Sequence, residues 1–356
     1  MNYSTKAKPI RQHPLFDAAQ KHPSNPALLI GKQTLSYSEL YSQSKQLAIG
    51  LSHRGLEPGQ IVALGDLSTT EMIISTWACM LGGFIAFPLN VRFPDASIAN
   101  LLIEIEPALS ISNTSYQAQT SLSFIEINTV VDQLVSADPP QFEVDSAASL
   151  LMTSGSSGGV KFVQHSHHNH IESAKGSNQN IQLDSSDRWL MSLPLYHVGG
   201  LAILFRAALT GAALIIPEEK DSTLGDIDQH KASHLSLVAT QLQRFIRAES
   251  GPGILRGLKA ILLGGSAIPP ALIQESLDLN LPIYVSYGST EMASQITTTQ
   301  TVNRSAALQN SGNLLPGREL IISHAGEILV KGETLAQGYL QNSRIIEIRE
   351  EEGGFH

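Results

Sequence analysis

The chain has 356 residues, 42% hydrophobic and 15% charged, with 28 glycines and no low-complexity tract, a composition that fits a globular α/β protein and excludes a fibrous or largely disordered one. A formal net charge of -9 argues against nucleic acid or an anionic membrane as the main partner, because both reward clustered Lys and Arg. The single cysteine, Cys79, excludes an internal disulfide and a multi-cysteine metal site, and fits a reducing cytoplasm.

No continuous apolar run interrupts Met1 to Pro26, so the N-terminus does not read as a secretory signal. Ala27 to Ile30 predicts a short strand, Gly31-Lys32 a turn, and Thr34 to Leu51 a helix. Within that helix, Ser36 followed by Glu39 has the spacing of a capping box, and Leu40, Leu47 and Leu51 share one face. Gly55 and Pro58-Gly59 end the helix before a strand at Ile61 to Leu64. The uncharged stretch Met72 to Val91 contains Ser75, Thr76, Gly82, Gly83, Pro88 and Asn90, which predicts a buried helix running into a buried strand rather than a membrane span. A helix at Ala96 to Glu104 and a strand at Leu109 to Ser112 continue the alternation, which predicts a parallel sheet covered on both faces.

Asp138 to Asp145 is polar and proline-bearing, hence a connection. A second alternating region runs from Arg188 to Leu281, with apolar runs at Ala212 to Ile216, His234 to Val238 and Ala260 to Leu263. From Gly312 onward the strands shorten, as in Leu320 to Ser323 and Glu327 to Val330, and predict a small β-rich subdomain. No internal repeat stands out.

Between the two regions lies Thr153-Ser154-Gly155-Ser156-Ser157-Gly158-Gly159-Val160-Lys161. Glycines let a backbone approach a polyphosphate, hydroxyls donate to it and a lysine supplies charge. It is not a Walker A loop, since Val160 and Phe162 stand where that pattern needs Gly and Ser or Thr. Two alternatives stay open: a plain flexible turn, and a nucleophile elbow Gly155-Ser156-Ser157-Gly158-Gly159 with Ser157 as nucleophile, His197 as base and Asp184 or Asp187 as acid. The cluster His165, His167, His168 and His170 has the spacing to share a face, but no carboxylate or cysteine supports it as a metal site. A solvated loop and helix start is therefore expected there.

The segment from Thr153 to Lys161 resembles the phosphate loop of the acyl-adenylate-forming superfamily, which includes acyl-CoA synthetases, luciferases and peptide-synthetase adenylation domains. Only the final lysine keeps register, because Gly159-Val160-Lys161 replaces the usual Gly-Lys-Pro-Lys. Four further segments follow in the family's order: Leu193-Pro194-Leu195-Tyr196-His197, Leu263-Gly264-Gly265-Ser266-Ala267, Ser286-Tyr287-Gly288-Ser289-Thr290-Glu291, and Gly326-Glu327-Ile328-Leu329-Val330-Lys331-Gly332 leading to Gly338-Tyr339-Leu340. With Leu35-Ser36-Tyr37-Ser38-Glu39-Leu40 and Pro88-Leu89-Asn90 before them, the likeness covers nearly the whole chain.

The resemblance implies the large N-terminal domain of the adenylate-forming fold, α/β, with two stacked αβαβα subdomains over about 1–310 and a β-rich subdomain over about 311–356. It implies ATP, Mg2+ and coenzyme A as partners, with no integral membrane segment, and leaves a homo-oligomer open. Thr153, Ser154, Gly155, Ser156, Ser157, Gly158 and Lys161 would hold phosphates, and Gly265, Ser266, Ala267 and Gly288 would lie against the nucleotide. Tyr287 would pack on adenine unless it is simply core, and Thr290 and Glu291 would serve a phosphate and magnesium unless they merely start a helix. His197 resembles the gate between the acyl pocket and the pantetheine tunnel.

His197-Val198-Gly199-Gly200-Leu201 with Phe205-Arg206, the run His234 to Leu242, and Leu315-Pro316-Gly317-Arg318-Glu319 resemble the o-succinylbenzoate:CoA ligases of menaquinone biosynthesis. A dicarboxylate needs a cation for its unreactive carboxylate. Arg206 is the candidate, unless it is an ordinary surface arginine, and Gln295 is expected to assist from the loop after Glu291. The family's Thr-Gly-Asp segment and small C-terminal domain, with its catalytic lysine, would fall outside this chain, which implies slow adenylation by the chain alone. Another aryl- or fatty acyl-CoA ligase and a non-catalytic nucleotide-binding fragment are the rival readings.

Overall fold

The computed structural model describes residues 12–113, 124–125, 141–154, 160–217, 224–300, 310–348, 350 and 354. The first part runs α1 (Pro14–Lys21), β1 (Pro26–Ile30), β2 (Gln33–Ser36), α2 (Tyr37–His53), β3 (Ile61–Leu64), α3 (Thr69–Leu81), β4 (Ile85–Pro88), α4 (Asp95–Ile105), β5 (Leu109–Ile111), β6 (Phe124–Ile125), β7 (Ala147–Ser154), β8 (Val160–Ser166) and α5 (His167–Asn180). The Ser36–Glu39 capping box forms at the start of α2, with Leu40, Leu47 and Leu51 turned inward. The residues just before it form a strand instead of helix, because Gln33 to Ser36 pair antiparallel with β1 across a tight turn.

The second part runs β9 (Arg188–Leu190), α6 (Val198–Ala208), β10 (Ala213–Ile216), α7 (Leu224–Gln229), β11 (His234–Leu237), α8 (Ala239–Arg247), α9 (Gly251–Arg256), β12 (Ala260–Leu263), α10 (Pro270–Asp278), β13 (Ile283–Ser289) and β14 (Ser294–Thr298). The short strands β15 (Asn313–Leu314), β16 (Arg318–Ile322), β17 (Ile328–Gly332), β18 (Gly338–Gln341) and β19 (Arg344–Ile346) follow.

Two mixed sheets result, an eight-stranded one ordered β19-β18-β8-β7-β4-β3-β5-β6 and a nine-stranded one ordered β15-β14-β13-β12-β11-β9-β10-β1-β2. Their central strands are parallel, and antiparallel strands extend them at β8, β18 and β19 in the first and at β14, β15 and β2 in the second. Among the described residues β16 and β17 form a separate two-stranded sheet, so the short strands of the C-terminal part are shared among three sheets.

Strand periodicity explains the layering. Leu28, Leu214 and Leu262 face one core cluster together with Val62 and Leu64 of the other sheet and with residues of α2, α3, α5 and α6. Their neighbours Leu29, Ile215 and Ile261 face a second cluster under α7 to α10. Ala63, Phe87 and Leu150 face a third cluster, packed on Ile98 and Leu102 of α4. Successive side chains on a strand point to opposite faces, so the layers read α-β-α-β-α with a shared helical middle. The stretch Met72 to Pro88 is indeed a buried helix running into a buried strand, and Trp77 and Cys79 lie in that middle layer at 2% and 0% exposure. Removing a ring such as Trp77 from a packed layer costs about 3–5 kcal/mol.

Candidate active site

β7 and β8 form an antiparallel hairpin in which Thr153 pairs with Lys161 and Ser154 with Val160. Gly155, Ser156, Ser157, Gly158 and Gly159 connect the two strands and lie outside the described residues. Lys161 places its Nζ 4.9 Å from the ring centroid of Tyr339, a residue of β18 that sits opposite Val163 of β8. The Tyr339 hydroxyl donates to Glu291 Oε1 at 3.0 Å. Burial and the Glu291 carboxylate push that hydroxyl's pKa well above the usual phenol range, so it remains a donor.

One sheet over, the chain leaves β12 at Leu263 and turns through Gly264 to Ala267. Gly265, Ser266 and Ala267 are exposed there. β13 runs parallel to β12, and Tyr287 projects from its far end with 37% of its surface open. The ring is therefore available to a ligand rather than part of the core. Gly288 is required by geometry: a Cβ there would overlap the Ser294 carbonyl across the β13–β14 pair. Thr290 to Ala293 form the turn between these strands, which overturns the helix-start reading. Beyond the Tyr339 bond, three hydrogen bonds tie the backbone of this turn to distant segments, one of them from Ser173 Oγ to the Ala293 carbonyl at 2.5 Å. His165 Nε2 meets the Thr290 carbonyl oxygen at 2.7 Å, and the Ala336 N–H donates to the Glu291 carbonyl at 2.7 Å.

Arg206, on α6, is 1% exposed, so the surface-arginine alternative fails. Its Nη2 donates to Gln295 Oε1 at 2.8 Å and to Ser294 Oγ at 3.4 Å. Its guanidinium carbon lies 5.3 Å from the Trp189 ring centroid, and its Nε has no partner among the described residues. Burial, then the nearby Arg318 charge, pull the guanidinium down to about 9, which leaves it protonated at neutral pH. Gln295 is a buried residue of β14, not of a loop. Its side-chain amide nitrogen donates to Thr298 Oγ1 at 2.6 Å and its backbone carbonyl accepts from Arg318 Nε at 2.7 Å. Arg318 also donates to the Pro316 carbonyl at 2.7 Å and to Ser173. Among the described residues no acidic side chain pairs with Arg206, and these bonds of Arg318 likewise go to carbonyl and hydroxyl oxygens.

His197 caps the N-terminus of α6 through its backbone position and stays exposed. Crowding by neighbouring atoms, and then the Arg92 charge, hold its pKa below the ordinary histidine value. Asp187, offered as the acid of a hydrolase triad, instead meets Lys259 at 2.6 Å.

The four clustered histidines correct the sequence reading. His165, His167, His168 and His170 are all buried, at 0%, 1%, 7% and 1% exposure, because β8 enters α5 directly beneath the middle layer. His170 Nε2 meets Ser149 Oγ at 2.7 Å and its ring stacks on Phe205 at 4.8 Å. His167 packs edge-on against Phe142 at 4.9 Å, and His168 pairs with Glu333. Burial lowers His165 to about 4 and His167 to about 3. Among the described residues no group of three or more acidic, histidine or cysteine side chains could hold a metal. Polar composition disguised this junction as solvated. Its internal ring contacts carry no periodic signal, so His165, Tyr339 and Arg318 gained no role from sequence. An open cavity of about 510 Å³ is lined by Gly317, Arg318, Glu319, Gly332 and Glu333, and none of the sequence-predicted site residues lines it.

The sequence profile of the AMP-binding enzyme family matches residues 15–340. The 2-succinylbenzoate--CoA ligase of Bacillus licheniformis is 32% identical over 360 residues, covering 94% of this chain and 73% of that protein. The o-succinylbenzoate CoA synthetase of Bacillus subtilis in complex with the acyl-adenylate intermediate OSB-AMP is similar at a TM-score of 0.85 and 27% identity, over 97% of this chain and 74% of that one. Its complex with ATP and magnesium ion gives a TM-score of 0.83 at 26% identity, over 97% and 75%.

Proposed function

Because the chain belongs to the AMP-binding enzyme family, we propose that it activates o-succinylbenzoate with ATP and passes the acyl group to coenzyme A, a step of menaquinone biosynthesis. The class is an AMP-forming acid–thiol ligase. One carboxylate oxygen of the acid attacks the α-phosphorus, a new P–O bond forms, and the bond to the bridging oxygen breaks to release pyrophosphate. The coenzyme A thiolate then attacks the acyl carbon, forming C–S as AMP leaves with the C–O electron pair. Alignment and charge stabilisation carry such a reaction, and no protein nucleophile is needed.

The observation that carries the reading is Arg206, a buried guanidinium whose partners are a neutral amide and a hydroxyl. An uncompensated buried cation costs several kcal/mol, and a diacid brings one carboxylate more than the reaction consumes. A fatty acid brings none to spare, which favours the aromatic diacid over the fatty acyl reading. In this scheme Arg206 and Gln295 hold the spare carboxylate, Tyr287 lies on adenine, and Gly265, Ser266, Ala267 and Gly288 border the nucleotide. Thr153, Ser154, Gly155, Ser156, Ser157, Gly158, Lys161 and Thr290 hold the phosphates, and His197 borders the thiol's path.

Magnesium fits Glu291. A half-buried lone carboxylate, with no metal cage around it among the described residues, suits an ion that keeps waters and takes phosphate oxygens. When bound, it neutralises charge on the departing pyrophosphate. Among the described residues no helix is long and apolar enough to cross a membrane. The cytoplasm is the proposed site of the reaction, on the ground of its soluble substrates.

The test is a single-turnover mixture of the chain, MgATP and o-succinylbenzoate, quenched and read by mass spectrometry beside benzoate and palmitate. The o-succinylbenzoyl adenylate should form preferentially. Preferential formation of either other adenylate would overturn the substrate and keep the reaction.

A further inference from the structure

We propose that His165 is a positioning residue for the magnesium–ATP end of the site, tying the Thr290–Glu291 turn to the hairpin that carries Lys161. The inference rests on the reading that Thr290 and Glu291 serve the nucleotide's phosphates and metal. His165 lies on β8, four residues after Lys161, and is fully buried. Its Nε2 is 2.7 Å from the Thr290 carbonyl oxygen. A carbonyl only accepts, so Nε2 carries the proton and Nδ1 is bare; Nδ1 has no partner among the described residues. A buried imidazole with one unsatisfied nitrogen is a poor filler for a core. What it provides is a donor at this carbonyl.

The turn needs such a tie. Immediately after Glu291 and Met292, Ala293 and Ser294 have φ values of 49° and 109°, a region that residues with a side chain seldom adopt. Local support is slight: the Ala293 N–H reaches back to the Thr290 oxygen at 3.1 Å and the Met292 N–H to Ser289 Oγ at 3.3 Å. The other supports come from outside, from Ser173 on the Ala293 carbonyl, Ala336 on the Glu291 carbonyl, Tyr339 on the Glu291 carboxylate and His165 on the Thr290 carbonyl, of which only the last reaches Thr290. Lys161, Thr290 and Glu291 thereby share one frame, although Lys161 lies on a strand of one sheet and the turn joins two strands of the other. Loss of the His165 bond should loosen the hold on the metal and outer phosphates and leave the adenosine end, at Tyr287 and Gly265, alone.

The test compares His165→Asn and His165→Met, which cannot donate at the Nε2 position, with His165→Gln, whose amide reaches it. Calorimetry on the full chain gives dissociation constants for MgATP and for AMP without metal. The donor-less variants should weaken MgATP about tenfold, the size of one net hydrogen bond, while AMP stays within about twofold and Gln restores MgATP binding. Equal losses for both nucleotides, or an undiminished affinity for MgATP, would overturn the proposal. Two donor-less variants are used so that misfolding of one leaves the other to decide. Glu291→Gln separates the layers of the argument. If it abolishes the magnesium dependence of ATP binding while His165→Asn changes nothing, only the His165 role fails. If Glu291→Gln itself has no effect, the assignment of the turn fails and takes the His165 role with it.

Discussion

Arg206 and Gln295 meet in the core through a hydrogen bond of 2.8 Å from guanidinium to side-chain amide oxygen. The pair brings α6 to β14, and Arg318 fixes the backbone of the same glutamine from the other side at 2.7 Å. A neutral amide orients a buried cation without neutralising it, which leaves the charge for an anionic ligand.

Replacing Arg206 should therefore act on ligand more than on fold. Truncating one partner of a buried charge pair costs about 2–5 kcal/mol, so Arg206→Ala should lose that much affinity for a non-hydrolysable o-succinylbenzoyl-adenylate analogue. Arg206→Lys should recover only part, because an ammonium lacks the planar fork. Titration calorimetry reads both, and unchanged affinity in Arg206→Ala would remove the residue from the acid site.

Gly288 gives a steric prediction. A methyl group there would run into the Ser294 carbonyl, and the strained turn before Gln295 cannot retreat without breaking the contacts of Arg206 and Arg318. Gly288→Ala should destabilise the chain by about 1–3 kcal/mol and weaken nucleotide binding. A denaturant midpoint identical to the parent's would show that β13 and β14 are further apart than described.

The buried histidines predict acid sensitivity. His13, His165, His167 and His170 are all held below the ordinary histidine value, in each case first of all by burial. Their native pKa values lie below the unfolded ones, so the unfolded chain takes up protons first as pH falls, and stability drops with it. The stabilisation is present above about pH 6.5. It is lost on acidification towards about 4 for His165 and about 3 for His167. Each group contributes up to about 1.4 kcal/mol per pH unit within its window. Urea midpoints at pH 8, 7 and 5 should fall steeply only in the last interval. A midpoint at pH 5 equal to that at pH 7 would contradict the neutral, buried state.

Local chemistry made much of the fold legible. The Ser36 and Glu39 spacing, the breakers inside Met72 to Val91, and the apolar runs that became β10, β11 and β12 are signals carried by adjacent residues. Contacts between distant segments were not legible. The antiparallel strand at Gln33 depends on its partner β1, and the burial of the histidine cluster depends on Phe142, Phe205 and Glu333 arriving from elsewhere. At the candidate site, Tyr287 and Arg206 are proposed from motif and charge, and the structure shows only that the first is open and the second buried. The Gln295 environment and the Tyr339 hydroxyl on Glu291 arise only when strands from separate stretches of the chain meet.

The most direct measurement of the central claim is the thermal shift of this chain with an o-succinylbenzoyl-adenylate analogue beside a long-chain acyl-adenylate analogue. At about 100 times its dissociation constant, a ligand that binds only the folded state stabilises it by about 2.7 kcal/mol. Stabilisation of that order by the first analogue, with little from the second at the same concentration, is the predicted result. Stabilisation by the long-chain analogue alone would contradict the assignment of Arg206 to a diacid and, with it, the proposed substrate.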